Sequence, residues 1–101
     1  MDSKNTILTE ETAALVADFF SAFSDMTRLR IISLLTCREM NVTEISQTIG
    51  ISESACSHQL RNLRQMRLVK SRKKGRHVFY NLDDVHIIDI FQAGVNHVHH
   101  D

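Results

Sequence analysis

No proline occurs in the 101 residues and glycine occurs only three times, so little of the chain reads as linker or disordered tail. Cysteine is scarcer still. Cys37 and Cys56 stand 19 residues apart with no CxxC spacing, which argues against a disulfide framework and suits a reducing compartment. No apolar run approaches the roughly 20 residues of a membrane span. Met1–Glu10 is polar and does not resemble a secretion signal. A single cytoplasmic domain over residues 1–101, with no membrane partner, is expected.

Negative charge is missing from one long stretch. Net charge is zero, yet no Asp or Glu falls between Ser54 and Leu82, while eight of the twelve Lys and Arg residues lie from Arg61 to Arg76. Such a band is expected where one face meets a polyanion. A solvated basic face would carry the same run, so the surrounding pattern must decide.

Glu11–Phe23 places Ala14, Leu15, Phe19 and Phe20 at near-helical spacing behind Thr9 as a cap, and Thr27–Thr36 carries Leu29, Ile31, Ile32, Leu34 and Leu35. Both helices read as core. The stretch VTEISQTIGISESACSHQLR says more. Thr43 can cap a short helix holding Ile45 and Ile49, which Gly50 ends in a left-handed conformation. Ser52 or Glu53 then starts a second helix on which Cys56, Leu60 and Leu63 form an inward stripe. This is a helix-turn-helix pattern, with Ser46 standing where a smaller alanine is commoner at the tight contact.

After Met66 the period changes. Leu68–Arg72 and His77–Asn81 read as strands flanking a basic tip, Lys73–Lys74–Gly75–Arg76. A hairpin with a basic tip directly after a helix-turn-helix is a wing. The expected fold is mainly α with a small β-hairpin, a winged helix-turn-helix ordered α-α-α-α-β-β-α. Asp83 or Asp84 caps a last helix, about half apolar through Val85, Ile88, Phe91, Ala93 and Val95, which should pack on another chain. A homodimer through the first and last helices is expected.

On the second helix of the motif, Ser54, Ser57, His58 and Arg61 lie away from the inward stripe. With Gln59 they suit hydrogen bonds to base edges or phosphate. Arg72, Lys73, Lys74 and Arg76 on the wing suit phosphates or the minor groove. The expected partner is double-stranded operator DNA, with a dimer on an inverted repeat.

Four of six histidines fall in the last eighteen residues: His86, His97, His99 and His100. His86 and His97, 11 residues apart, share a helix face but stand roughly 16 Å apart along the axis. With zinc–nitrogen bonds of about 2 Å, one ion cannot join both on one straight helix. Two copies crossing antiparallel remove the difficulty. The midpoint of 86 and 97 is 91.5 and that of 84 and 100 is 92, so both pairings imply one two-fold axis. Asp84 and His86 of one chain then meet His97 and His100 of the other, giving two equivalent sites. Asp84 and His86 are about 200° apart on an ideal helix and can share an ion only if Asp84 precedes the helical backbone. Asp83 is the competing carboxylate. His99 points to the opposite side.

The segments FSAFSDMTRLRIISLL, ISESACSHQLRNLRQMRLVKSRKKGRHVFYNL and DDVHIIDI followed by HVHH resemble the ArsR/SmtB family of winged-helix metal-responsive repressors, above all its zinc and cobalt sensors. The resemblance covers nearly the whole chain. It implies a metal site of the form D-x-H and H-x-x-H from two subunits, which selects Asp84, His86, His97 and His100. It also implies a metal-free dimer that holds an operator and is released by Zn(II) or Co(II). Nickel would want further ligands, from His99 or the amino terminus. The thiolate CVC motif of other members is missing from EMNVTEIS. Cys37 and Cys56 accordingly read as small core residues, with thiol oxidation at these two as the alternative signal. An enzyme is not expected, because three histidines and a carboxylate fill a tetrahedral zinc site.

Overall fold

The computed structural model describes residues 7–100. Its elements run α1 (Glu10–Ser21), α2 (Met26–Cys37), β1 (Met40–Asn41), α3 (Val42–Ile49), α4 (Glu53–Gln65), β2 (Val69–Lys74), β3 (His77–Leu82) and α5 (Val85–Val98). The winged helix-turn-helix is present, with one correction. The hairpin is the larger part of a three-stranded antiparallel sheet ordered β1-β3-β2, because Met40 pairs with Tyr80 and Asn41 with Phe79. A two-residue strand carries no periodicity of its own, so its existence depends on β3. β2 also runs further than expected, to Lys74 opposite His77. The tip is a two-residue turn, Gly75–Arg76, in which Gly75 takes φ +62°.

Several helix ends follow their caps. Thr9 accepts a hydrogen bond from the Thr12 N–H and starts α1, and the Asp25 carboxylate does the same for Arg28 on α2. Ser52 caps α4. The cap of α3 is Asn41 rather than Thr43. Its side chain accepts from the Glu44 N–H at 2.8 Å while the Glu44 carboxylate accepts from the Asn41 N–H at 3.0 Å. Thr43 instead donates its hydroxyl to the Glu53 carboxylate at 3.0 Å, joining the start of α3 to that of α4. Gly50 ends α3 at φ +85°, a conformation that side chains with a Cβ rarely adopt.

The core lies where α2, α3 and α4 meet the inner sheet face. Ile31, Ile32, Ile45, Cys56, Leu60, Leu63 and Leu68 have no exposed surface, and Leu82 and Ile87 close the α5 side. Full burial of each large aliphatic side chain stabilises by about 1.5–3 kcal/mol. Ser46 is buried at the α3–α4 contact, and its hydroxyl donates to the Thr43 carbonyl at 3.1 Å, so the extra oxygen is satisfied.

α1 departs from expectation. None of its residues is buried, and Leu15 and Phe20 stay 66% and 51% exposed. Their helical spacing reflects an apolar face that this subunit alone does not cover. No helix among the described residues is long and apolar enough to cross a membrane.

Candidate nucleic-acid interface and metal-ligand set

α4 turns its Cys56–Leu60–Leu63 stripe inward, and this decides which side chains face out. Ser54, His58 and Arg61 are exposed, and Ser57 is half-buried. Gln59 sits differently. It is half-buried, and its Oε1 lies in the interior with no hydrogen-bond partner among the described residues. Arg64, Arg67 and Lys70 continue the exposed basic band toward the wing.

On the wing, Lys73, Lys74 and Arg76 are exposed around the Gly75 turn. Arg72 is not at the tip. It stands in β2 opposite Phe79 and donates through Nε and Nη2 to the two oxygens of Glu39, at 2.6 and 2.7 Å. Its guanidinium carbon lies 5.9 Å from the centre of the Phe79 ring. The Arg72 hydrogen bond holds the Glu39 carboxyl below its ordinary range, and the same bond pushes Arg72 up. Glu39 and Phe79 were not among the residues expected at the site. Glu39 is the only acid between α2 and Asn41, but its relation to the wing becomes visible only once β1 is known.

The histidine-bearing helix starts at Asp84, whose backbone is extended (φ −157°, ψ 176°). Its carboxylate Oδ1 accepts from the His86 N–H at 2.7 Å and lies 3.0 Å from His86 Nδ1. Residues two apart meet because one of them precedes the helix. Asp83, half-buried, is tied by its N–H to the Leu68 carbonyl at 2.9 Å. His97 lies in the last turn of α5, and the His100 N–H donates to the His97 carbonyl at 3.2 Å. Asp84, His86, His97 and His100 are all exposed. Among the described residues, no three His, Cys, Asp or Glu side chains of this one chain are placed to hold a metal. The amino terminus, the other possible donor for nickel, lies outside the described residues.

His99 is exposed and joins Phe20, Phe23, Phe91, Val95 and Val98 around an open apolar groove of about 590 Å³ between α2 and α5. The two cysteines part company. Cys56 is fully buried, as the inward stripe requires, whereas Cys37 is exposed at the end of α2 and is not a core residue. Burial, with the charge of Glu53 second, pushes the Cys56 thiol up to about 11.

The bacterial regulatory protein arsR family matches residues 25–71, from the cap of α2 into the wing. The transcriptional repressor SmtB homolog of Synechocystis is 41% identical over 92 residues, 91% of this chain and 70% of that protein. The chain belongs to the ArsR/SmtB family. NmtR, a helix-turn-helix transcriptional regulator of Mycobacterium tuberculosis, is 36% identical over 92% of this chain and 78% of its own length. The solution structure of apo-NmtR superposes with a TM-score of 0.81, covering 100% of this chain and 85% of that one at 33% identity. A homodimeric winged helix-turn-helix DNA-binding domain of a possible ArsR-family regulator from Mycobacterium bovis gives a TM-score of 0.79 at 25% identity, covering 95% and 94%. This ArsR/SmtB member is therefore a transcriptional regulator built on a DNA-binding fold, not an enzyme.

Proposed function

We propose that this ArsR/SmtB protein is a metal-responsive repressor that binds an inverted-repeat operator as a metal-free homodimer and is released by Zn(II) or Co(II). The observation that carries the reading is the 3.0 Å approach of Asp84 Oδ1 to His86 Nδ1. Two ligands of one tetrahedral zinc ion, with bonds of about 2.0–2.1 Å, stand roughly 3.3 Å apart. The pair has nearly that separation already, and its donors are exposed. The donor set is one oxygen and, with His97 and His100 of a second copy, three nitrogens, which suits zinc and its cobalt mimic.

Asp84 and His86 would hold the ion from the start of α5, and His97 and His100 from the end of the partner's α5. A bound divalent cation supplies a cross-link between the two last helices. The uncovered face of α1, with Leu15 and Phe20, and the groove along α5 support pairing through the first and last helices. Ile87 anchors α5 in the core that also seats α2 and β3, so a reorientation of α5 reaches the DNA-reading elements as a movement of the whole subunit. Reciprocity requires operator DNA to weaken metal binding by the same factor.

The distinct states of the cysteines argue against a thiol pair as the signal. Cys56 is buried with a raised thiol, leaving Cys37 without a reactive partner. Titration of Zn(II) into the protein–operator complex, followed by fluorescence anisotropy, tests the proposal. Release at about one ion per subunit is expected. Unchanged affinity with metal stoichiometrically bound refutes it.

A further inference from the structure

Once Met40, Val69 and Leu82 are buried against the core, strand alternation assigns the opposite set to the outer sheet face. The register aligns Asn41, Phe79 and Arg72 across the three strands on that outer face. Glu39, immediately ahead of β1, receives the fork of Arg72 from 33 positions away in sequence. The guanidinium thus has two N–H groups committed to one carboxylate and one face near Phe79. A bidentate arginine–carboxylate pair is the geometrically most specific of exposed ion pairs, and lysine cannot reproduce it.

We propose that Arg72 is a positioning residue of the DNA-reading surface and not a phosphate contact. With Glu39 it braces the wing against the segment that opens the helix-turn-helix, and the wing's contacts to DNA fall to Lys73, Lys74 and Arg76. This rests on the reading of the protein as DNA-binding. Two features carry it. A phosphate would have to displace a carboxylate already held at 2.6 and 2.7 Å by two hydrogen bonds. The Glu39 charge also makes the immediate surroundings of Arg72 less attractive to a phosphate than those of the three cations nearer the tip.

The two roles give opposite signs in one variant. If Arg72 grips phosphate, Glu39→Gln frees it and removes a negative charge, so duplex binding tightens. If the pair is a brace, Glu39→Gln loosens the wing and binding weakens, by about two- to fivefold, the range of an exposed pair. Arg72→Lys separates them again. A phosphate contact would survive in large part, whereas a brace predicts that Arg72→Lys matches Arg72→Ala.

The experiment uses full-length protein and a fluorescein-labelled mixed-sequence duplex, with binding measured across a salt series, and amide hydrogen exchange of β2 and β3 in the same variants. Expected are weaker binding by Glu39→Gln and faster exchange in the hairpin. An Arg72→Ala/Glu39→Gln double variant should bind no worse than Arg72→Ala. Lys73→Ala, Lys74→Ala and Arg76→Ala should each lower the salt slope by up to about 0.9, one phosphate apiece. Tighter binding by Glu39→Gln, or Arg72→Lys at wild-type affinity, overturns the proposal while leaving the DNA-binding reading intact. Wild-type protein that binds no duplex at all removes that reading, and the proposal with it.

Discussion

The guanidinium of Arg28, on α2, donates across 3.1 Å to the main-chain carbonyl of Ser21, the last residue of α1. Its Nε reaches the next carbonyl, that of Ala22, at 3.2 Å. α1 has no basic residue in its own last turn and buries none of its side chains, so this borrowed cation is its principal polar tie to the subunit. Arg28→Ala is expected to destabilise the protein by about 1 kcal/mol. Thermal unfolding followed by circular dichroism checks this, and sedimentation should show a weaker dimer.

Leu15 lies on the exposed apolar side of α1. Leu15→Glu should leave the helical content of the subunit unchanged while converting dimer to monomer in analytical ultracentrifugation. Leu60→Ala, by contrast, opens a cavity at a fully buried site and should cost about 2–5 kcal/mol of stability.

Asp84 caps α5 and, in the proposed function, is also a metal ligand; one substitution separates the two. Asparagine caps a helix as well as aspartate does, but it brings no anionic ligand. Asp84→Asn should therefore keep α5 intact and weaken Zn(II) binding by on the order of 100-fold, beyond the loss of an outer hydrogen bond. Asp83→Asn should leave metal affinity unchanged. Competition against a chromogenic chelator measures both, and His97→Ala should match Asp84→Asn while retaining operator affinity.

Stability should show a plateau bounded on both sides by identified groups. The carboxyls of Glu39 and Glu44 are held below their ordinary 4.5, the first by Arg72 and the second chiefly by the Asn41 N–H. A depressed carboxyl contributes in full above that value and loses its contribution as pH falls through the lowered one. Cys56 works in the other direction. Its thiol is raised from 9.0 to about 11, so its contribution is complete below pH 9 and is lost as pH rises toward 11. Urea midpoints measured across pH check both edges. Iodoacetamide at neutral pH should label Cys37 and spare Cys56.

Much of this was legible in local chemistry. Thr9, Ser52 and Gly50 act where their side chains, or the lack of one, said they would, and the Cys56–Leu60–Leu63 stripe is buried throughout. What stayed hidden depends on distant partners. β1 exists because Met40 and Asn41 find Tyr80 and Phe79. That strand moved the α3 cap from Thr43 to Asn41 and brought Glu39 within reach of Arg72. The exposure of Cys37, and of Leu15 and Phe20 on α1, was equally invisible, because helical spacing marks an apolar face without saying whose surface covers it. The Asp84–His86 approach was legible only as a condition, that Asp84 stand outside the helix, and its extended backbone meets it.

Asn41 belongs to two units at once: its backbone is paired with Phe79 in the sheet, and its side chain closes the first turn of α3. Asn41, the Arg72–Glu39 pair and the shared core thus join hairpin and helix pair into one stylus, which is tilted or carried largely as a unit. Under the proposed reading, a dimer on an inverted repeat, a signal would release such a stylus by changing the interval between two of them. On that reading, operators altered only in the number of base pairs separating their halves should lose affinity without any inducer, as the proposed metal-bound state does.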